Sequence, residues 1–122
     1  MSIIFKGIDH IQFAAPKGCE GEARKFFVEI LGLKEIPKPE NLKGRGGCWF
    51  QYGPQEIHVG VQNDFVPATK AHPGLLVTDL EALRSNLMDK GIRIKEDAPI
   101  NGRDRFFVSD PFGNRIEFLE YH

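Results

Sequence analysis

The sequence predicts an α+β fold built from two βαβββ modules, and three repeated signals predict it. His10 and His72, at matching places in the two halves of the chain, each open a strand-like run. A glycine, Gly32 or Gly91, ends the amphipathic helix that follows each run, as expected of a C-terminal cap. Turn glycines Gly53 and Gly113, separated by nearly the same interval as the two histidines, divide the last two strands of each half. Self-similarity at a near-constant spacing marks a duplicated unit. Paired curved mixed sheets with the helices outside are expected to enclose a polar-lined cleft. All 122 residues then form one domain (1–122), with internal modules at about 5–65 and 70–122.

The elements follow from the residues in order. The first strand covers residues 8–14 (IDHIQFA). Alternation puts Ile11 and Phe13 on one face and His10, Gln12 and Ala14 on the other. A helix over 20–31 carries Ala23, Phe26, Phe27 and Ile30 at helical spacing. Residues 37–47 (PKPENLKGRGG) read as a polar loop. Two strands, 47–52 and 55–62, meet at Gly53-Pro54; along the second, Ile57, Val59 and Val61 oppose Glu56, His58 and Gly60. A connector at 66–71 (VPATKA) leads to a strand at 72–77. Thr78-Asp79-Leu80-Glu81 reads as a capping box for a helix over 79–90, with Leu80, Leu83 and Leu87 on one stripe. Each helix-ending glycine leads into a similar phrase, Gly-Leu-Lys-Glu-Ile and Gly-Ile-Arg-Ile, the expected second strand of its module. The closing strands, 105–109 and 114–121, join through Asp-Pro-Phe-Gly-Asn, whose residue types favour turns mechanically.

Composition excludes several classes. Apolar residues make up 41 %, enough for a core, and net charge is −1, so no broad field favours nucleic acid or an anionic membrane. No apolar run approaches the ~18–20 residues of a membrane span. MSIIFKGIDH lacks a signal-peptide layout, which makes the cytoplasm the default expectation. Cys19 and Cys48 form no CxxC pair and suit a reducing compartment; Cys48 reads as a small buried hydrophobe.

Four ligand-type side chains occupy repeat-equivalent places. His10 matches His72 on the two first strands, and His58 matches Glu117 on the two last. A pseudo-two-fold axis between modules brings all four toward one centre. Imidazole and carboxylate are common ligands of Zn²⁺, Ni²⁺, Mn²⁺ and Fe²⁺. Glu56, on the same face as His58, is its rival for the fourth place. In the strand at 105–109, parity sets Arg105, Phe107 and Ser109 opposite Phe106 and Val108, so Arg105 faces the cleft beside Glu117. Arg105, Trp49 and Gln12 are the expected substrate contacts. An aromatic groove of Trp49, Phe50, Phe65 and Phe107 is the alternative lining.

Ile8-Asp9-His10-Ile11, His72-Pro73-Gly74-Leu75-Leu76-Val77 and above all Asp110-Pro111-Phe112-Gly113-Asn114-Arg115-Ile116-Glu117 carry a resemblance over nearly the whole chain. The chain resembles the vicinal oxygen chelate superfamily, the glyoxalase / bleomycin-resistance / dioxygenase group. The resemblance implies one divalent ion held by His10, His72 and Glu117, a small substrate chelated through neighbouring oxygens, and a site often shared between subunits of a homodimer. It implies Glu117 as a ligand and a candidate catalytic base. Glyoxalase I carries an acidic or amide residue where His58 stands here, a departure from that enzyme's pattern. The implied functions are a metal-dependent lyase, isomerase, transferase or dioxygenase, or else a metal-free binding module like the antibiotic-sequestering members.

Overall fold

Each module lays its first strand beside its last, and that pairing organises the whole molecule. The computed structural model describes residues 2–122. In the first module β1 (His10–Ala15) is followed by α1 (Glu20–Arg24), which winds on as a π-helix over Lys25–Ile30. Then come β2 (Lys34–Ile36), β3 (Cys48–Tyr52) and β4 (Gln55–Val61). They form a sheet in the order β1-β4-β3-β2, with β1 parallel to β4. The second module has β5 (Gly74–Leu76), α2 (Leu80–Asp89), β6 (Arg103–Ser109) and β7 (Arg115–Tyr121), in the order β5-β7-β6, with β5 parallel to β7. Among the described residues no helix is long and apolar enough to cross a membrane.

Strand parity holds on both sheets. Phe13, Ile57, Val59, Phe106, Val108, Ile116 and Phe118 join one core cluster with Phe26, Phe27 and Leu87 from the helices. Phe26 and Phe27 are consecutive, yet both are buried. The wider π-helical turn, with Leu31 N–H donating to Phe26 O at 2.9 Å, accompanies that double burial. Phe27 then packs against Phe13, Phe26 and Phe50.

Helix α2 begins one residue later than its capping-box pattern suggests. Asp79 is the N-cap and accepts from Ala82 N–H at 3.0 Å. The Glu120 carboxylate accepts from Leu80 N–H at 3.0 Å and so ties the helix to β7. Three further differences bear on the site. Strand β5 is short, so His72 precedes it rather than lying within it. The second strand of the second module shrinks to one bridge, Lys95 to Phe107. Beyond it Asp97 turns the chain by accepting from Ala98 N–H, and Pro99 has no N–H to offer a ladder. The 37–47 loop contains a 3-10 turn, Glu40–Arg45; Lys43 pairs with Glu40 and Lys38 donates to Gly46 O, so both cations are engaged inside the loop.

Side chains stitch the modules together. Tyr52 OH donates to Leu76 O at 2.7 Å, and burial pushes this hydroxyl up to about 12, so it remains a donor at neutral pH. Asn86 donates to Ile30 O at 3.2 Å. A third joint is the β6–β7 turn. Asp110 Oδ1 accepts from Phe112 N–H and Asn114 N–H, while Gly113 takes a positive φ of 91°. The Asn114 amide donates both to Asp110 Oδ2 and to Ala14 O of β1, each at 2.8 Å.

Asn114→Asp is nearly isosteric but sets an acceptor against Asp110 and Ala14 O. It is expected to cost about 2–3 kcal/mol in denaturant unfolding, and Asn114→Ala less. Unchanged midpoints in both variants would remove this turn from its role as a joint. The two cysteines give a second test. Both are buried, and burial raises both thiols, Cys48 to about 11. Ellman's reagent near pH ~8 is expected to find no rapidly reacting thiol in the native protein and both thiols after denaturation.

Candidate metal centre

Register decides which side chains share the polar face. In the first module His10 is paired with Glu56, Gln12 with His58, and Trp49 with His58. These residues therefore lie on the face opposite the core. The His58 ring is stacked on Trp49 at 3.8 Å and on His10 at 4.1 Å, with β4 between the two neighbouring strands. Its Nε2 lies 2.9 Å from Glu56 Oε1. The two rivals for the fourth ligand place thus engage each other. His10 turns Nδ1 to Asp9 Oδ2 at 2.8 Å, which leaves Nε2 uncommitted to that contact. Gln12 lies flat over Gly60, where a Cβ would stand 2.5 Å from its Nε2.

In the second module Gly74 and Phe107 both pair with Glu117, and Ser109 pairs with Arg115. His72 reaches this face from just before β5. Its Nε2 stands 3.0 Å from Glu117 Oε1, and its Nδ1 stands 2.9 Å from Lys70 O. Both partners are acceptors. With Nδ1–H donating to the carbonyl, Nε2 and the carboxylate oxygen need a proton or a cation between them. The Arg105 side chain is only 14 % exposed, not solvated. Its Nη2 donates to Ala98 O at 2.8 Å, Nη1 stands 3.5 Å from Glu117 Oε2, and Nε has no partner among the described residues. Phe107 meets His72 edge-on.

The donors fit a divalent ion in chemistry. Two ligand atoms, each about 2.1 Å from one ion at tetrahedral or octahedral angles, lie roughly 3.0–3.4 Å apart. The His72–Glu117 separation of 3.0 Å falls in that range. His10 and His72 both turn Nδ1 toward an oxygen, the outer contact that orients a ligating imidazole. Their number per chain is smaller than expected. His10 with His58, and His72 with Glu117, stand as two separate contacts, and among the described residues no three His, Cys, Asp or Glu side chains are grouped to hold a metal. The aromatic candidates are dispersed. Phe50 is fully buried in the core, and Phe107 packs under arginine. Phe65 lines a cavity of about 480 Å³ with Gln12, His72 and Arg115. Asp97, which contacts both Arg105 and Arg115, carried no signal in the sequence because it sits in an irregular loop.

The family model for the Glyoxalase/Bleomycin resistance protein/Dioxygenase superfamily matches residues 7–118. A protein from Bacillus anthracis described as a glyoxalase family protein is 52 % identical, with a TM-score of 0.97 over all of both chains. A virulence protein from Salmonella typhimurium is 21 % identical, with a TM-score of 0.76 over 98 % of this chain and 100 % of that one. Lactoylglutathione lyase from Agrobacterium tumefaciens is 18 % identical, with a TM-score of 0.73 over 93 % of this chain and 92 % of its own; these last two likenesses concern the fold. No curated protein matches the sequence.

Proposed function

The chain belongs to the Glyoxalase/Bleomycin resistance protein/Dioxygenase superfamily, and we propose that it is a small metal-dependent enzyme acting on a substrate with two neighbouring oxygens. The observation that carries this reading is His72: both its ring nitrogens face oxygen acceptors, with Glu117 3.0 Å from Nε2. His10, His72 and Glu117 are the proposed ligands, with His58 or Glu56 in the fourth place. A bound ion supplies Lewis-acid polarisation of the substrate's oxygens. Glu117 is also the proposed proton acceptor. Arg105, Gln12 and Trp49 orient the substrate. Lyase, isomerase, transferase and dioxygenase chemistry all suit this donor set, in a protein proposed to be cytoplasmic.

A homodimer is part of the proposal. Each module presents two donors, and a centre of three or four requires a first and a second module to meet face to face. Ile3, Ile4 and Phe5, just ahead of β1, are more than three-quarters exposed, an apolar segment suited to a second copy. The rival reading, a metal-free binding module, draws support from His58, whose ring is held by Trp49, His10 and Glu56 rather than left open.

Calorimetry and native mass spectrometry on untagged protein are expected to give about one divalent ion per site. His72→Ala and Glu117→Ala should each abolish stoichiometric binding; retention in both sinks the site. Light scattering at micromolar concentration is expected to give twice the 13.8 kDa chain mass. A monomer would defeat the shared centre.

A further inference from the structure

Two guanidiniums flank Phe107 on the polar face of β6 and β7. Arg115 lies 3.9 Å and Arg105 5.3 Å from the ring centroid. Stacking on a ring fixes the plane of a guanidinium and leaves its N–H donors pointing outward along that plane. The donors of Arg115 are hardly engaged. Its contacts are His72 Nδ1 at 3.4 Å, Lys70 O at 3.5 Å and Asp97 Oδ2 at 3.6 Å. Arg105 faces the same Asp97 oxygen at 3.9 Å. A charge-assisted guanidinium–carboxylate hydrogen bond is about 2.7–2.9 Å long. Asp97 therefore sits near both cations without bonding either, and its own hydrogen bond goes to Ala98 N–H at 2.7 Å. It is nearly half exposed, on the loop that replaces a strand. Beside Arg115 opens a cavity of about 440 Å³, also bordered by Arg93 and Lys95.

Charge points the same way. The two guanidiniums face two carboxylates, Asp97 and Glu117. If Glu117 serves a divalent cation, as proposed above, the cluster carries a net positive charge, and without the ion Arg93 and Lys95 at the cavity's rim still leave more cations than carboxylates there. A neutral substrate leaves that charge uncompensated in a partly buried place, and an anionic one offsets it.

We propose that Arg115 and Arg105 form an anion clamp for a carboxylate or phosphate group of the substrate, and that Asp97 is its displaceable stand-in. The substrate's anionic group takes the position that Asp97 shadows, and the 95–100 loop yields it. Arg115 is then a specificity-determining residue, and Asp97 a built-in competitor.

The clamp is testable on metal-free, full-length protein, so its failure is separate from failure of the metal centre. Inorganic phosphate and acetate are titrated separately against ¹⁵N-labelled protein, and the arginine Nε–Hε signals are followed by NMR. One of the two anions is expected to shift the Arg105 and Arg115 signals saturably, and the better binder names the group. Arg115→Gln should weaken that anion at least about fivefold, with Arg115→Lys in between. Asp97→Asn and Asp97→Ser should both tighten it by about threefold or more. The proposal is overturned if neither anion shifts these signals, if Arg115→Gln leaves affinity unchanged, or if both Asp97 variants bind no tighter than the parent. The amide spectrum of each variant checks that the fold is retained.

Discussion

The Asn114 side chain is the point on which the arrangement of the two modules turns. Its amide has two hydrogens and spends both, one on Asp110 in its own turn and one on Ala14 O in the first strand of the other module. Asp110 in turn accepts three bonds from the turn. A buried carboxylate bonded at both oxygens holds the turn rigid, and the rigid turn aims the amide at β1. Because Arg115 and Glu117 leave that same turn along β7, the joint that fixes the modules also fixes the candidate site. The closing phrase Asp-Pro-Phe-Gly-Asn-Arg-Ile-Glu thus builds the joint with its first half and carries candidate site residues in its second.

Much of this was legible in the residues, and the reason is periodicity. Alternation along β1, β4, β6 and β7 correctly separates Phe13, Ile57, Phe106 and Ile116 from His10, His58, Arg105 and Glu117. The helices and their terminal glycines have strong local signals, and both glycines adopt positive φ. What failed was also physical. Gly-Ile-Arg-Ile resembles the phrase that makes β2, but a strand needs a neighbour as well as a pattern, and the chain after Lys95 turns away. The helix start slipped by one residue because Thr78 and Asp79 are both good caps and only the tertiary bond to Glu120 chooses between them. Asp97 and the mutual engagement of Glu56 with His58 are tertiary facts without a one-dimensional trace.

The two modules treat equivalent positions differently. The place that holds Glu117 in the second module holds His58 in the first, and the charge environment follows. The His58 ring sits among Trp49, His10 and Glu56, an aromatic setting with one acid. Glu117 sits between His72 and the Arg105 guanidinium, a setting with a fixed positive charge. Duplication supplied the geometry, and divergence of the side chains on it, Glu56 against Arg115 as well as His58 against Glu117, gave the two halves different electrostatic character.

The pairing of first strand with last carries a kinetic consequence. His10 and His58 lie nearly a whole module apart in sequence, and so do His72 and Glu117, yet each couple meets only where β1 joins β4 or β5 joins β7. Neither couple can form from a local hairpin. The long loop must close first, which delays parallel pairing relative to the α1, α2 and β3–β4 contacts. A nascent or half-folded chain therefore holds these side chains apart. The candidate donors come together with the last strand of each module, late on the folding path and along with the core residues Ile57, Ile116 and Phe118 that those strands supply.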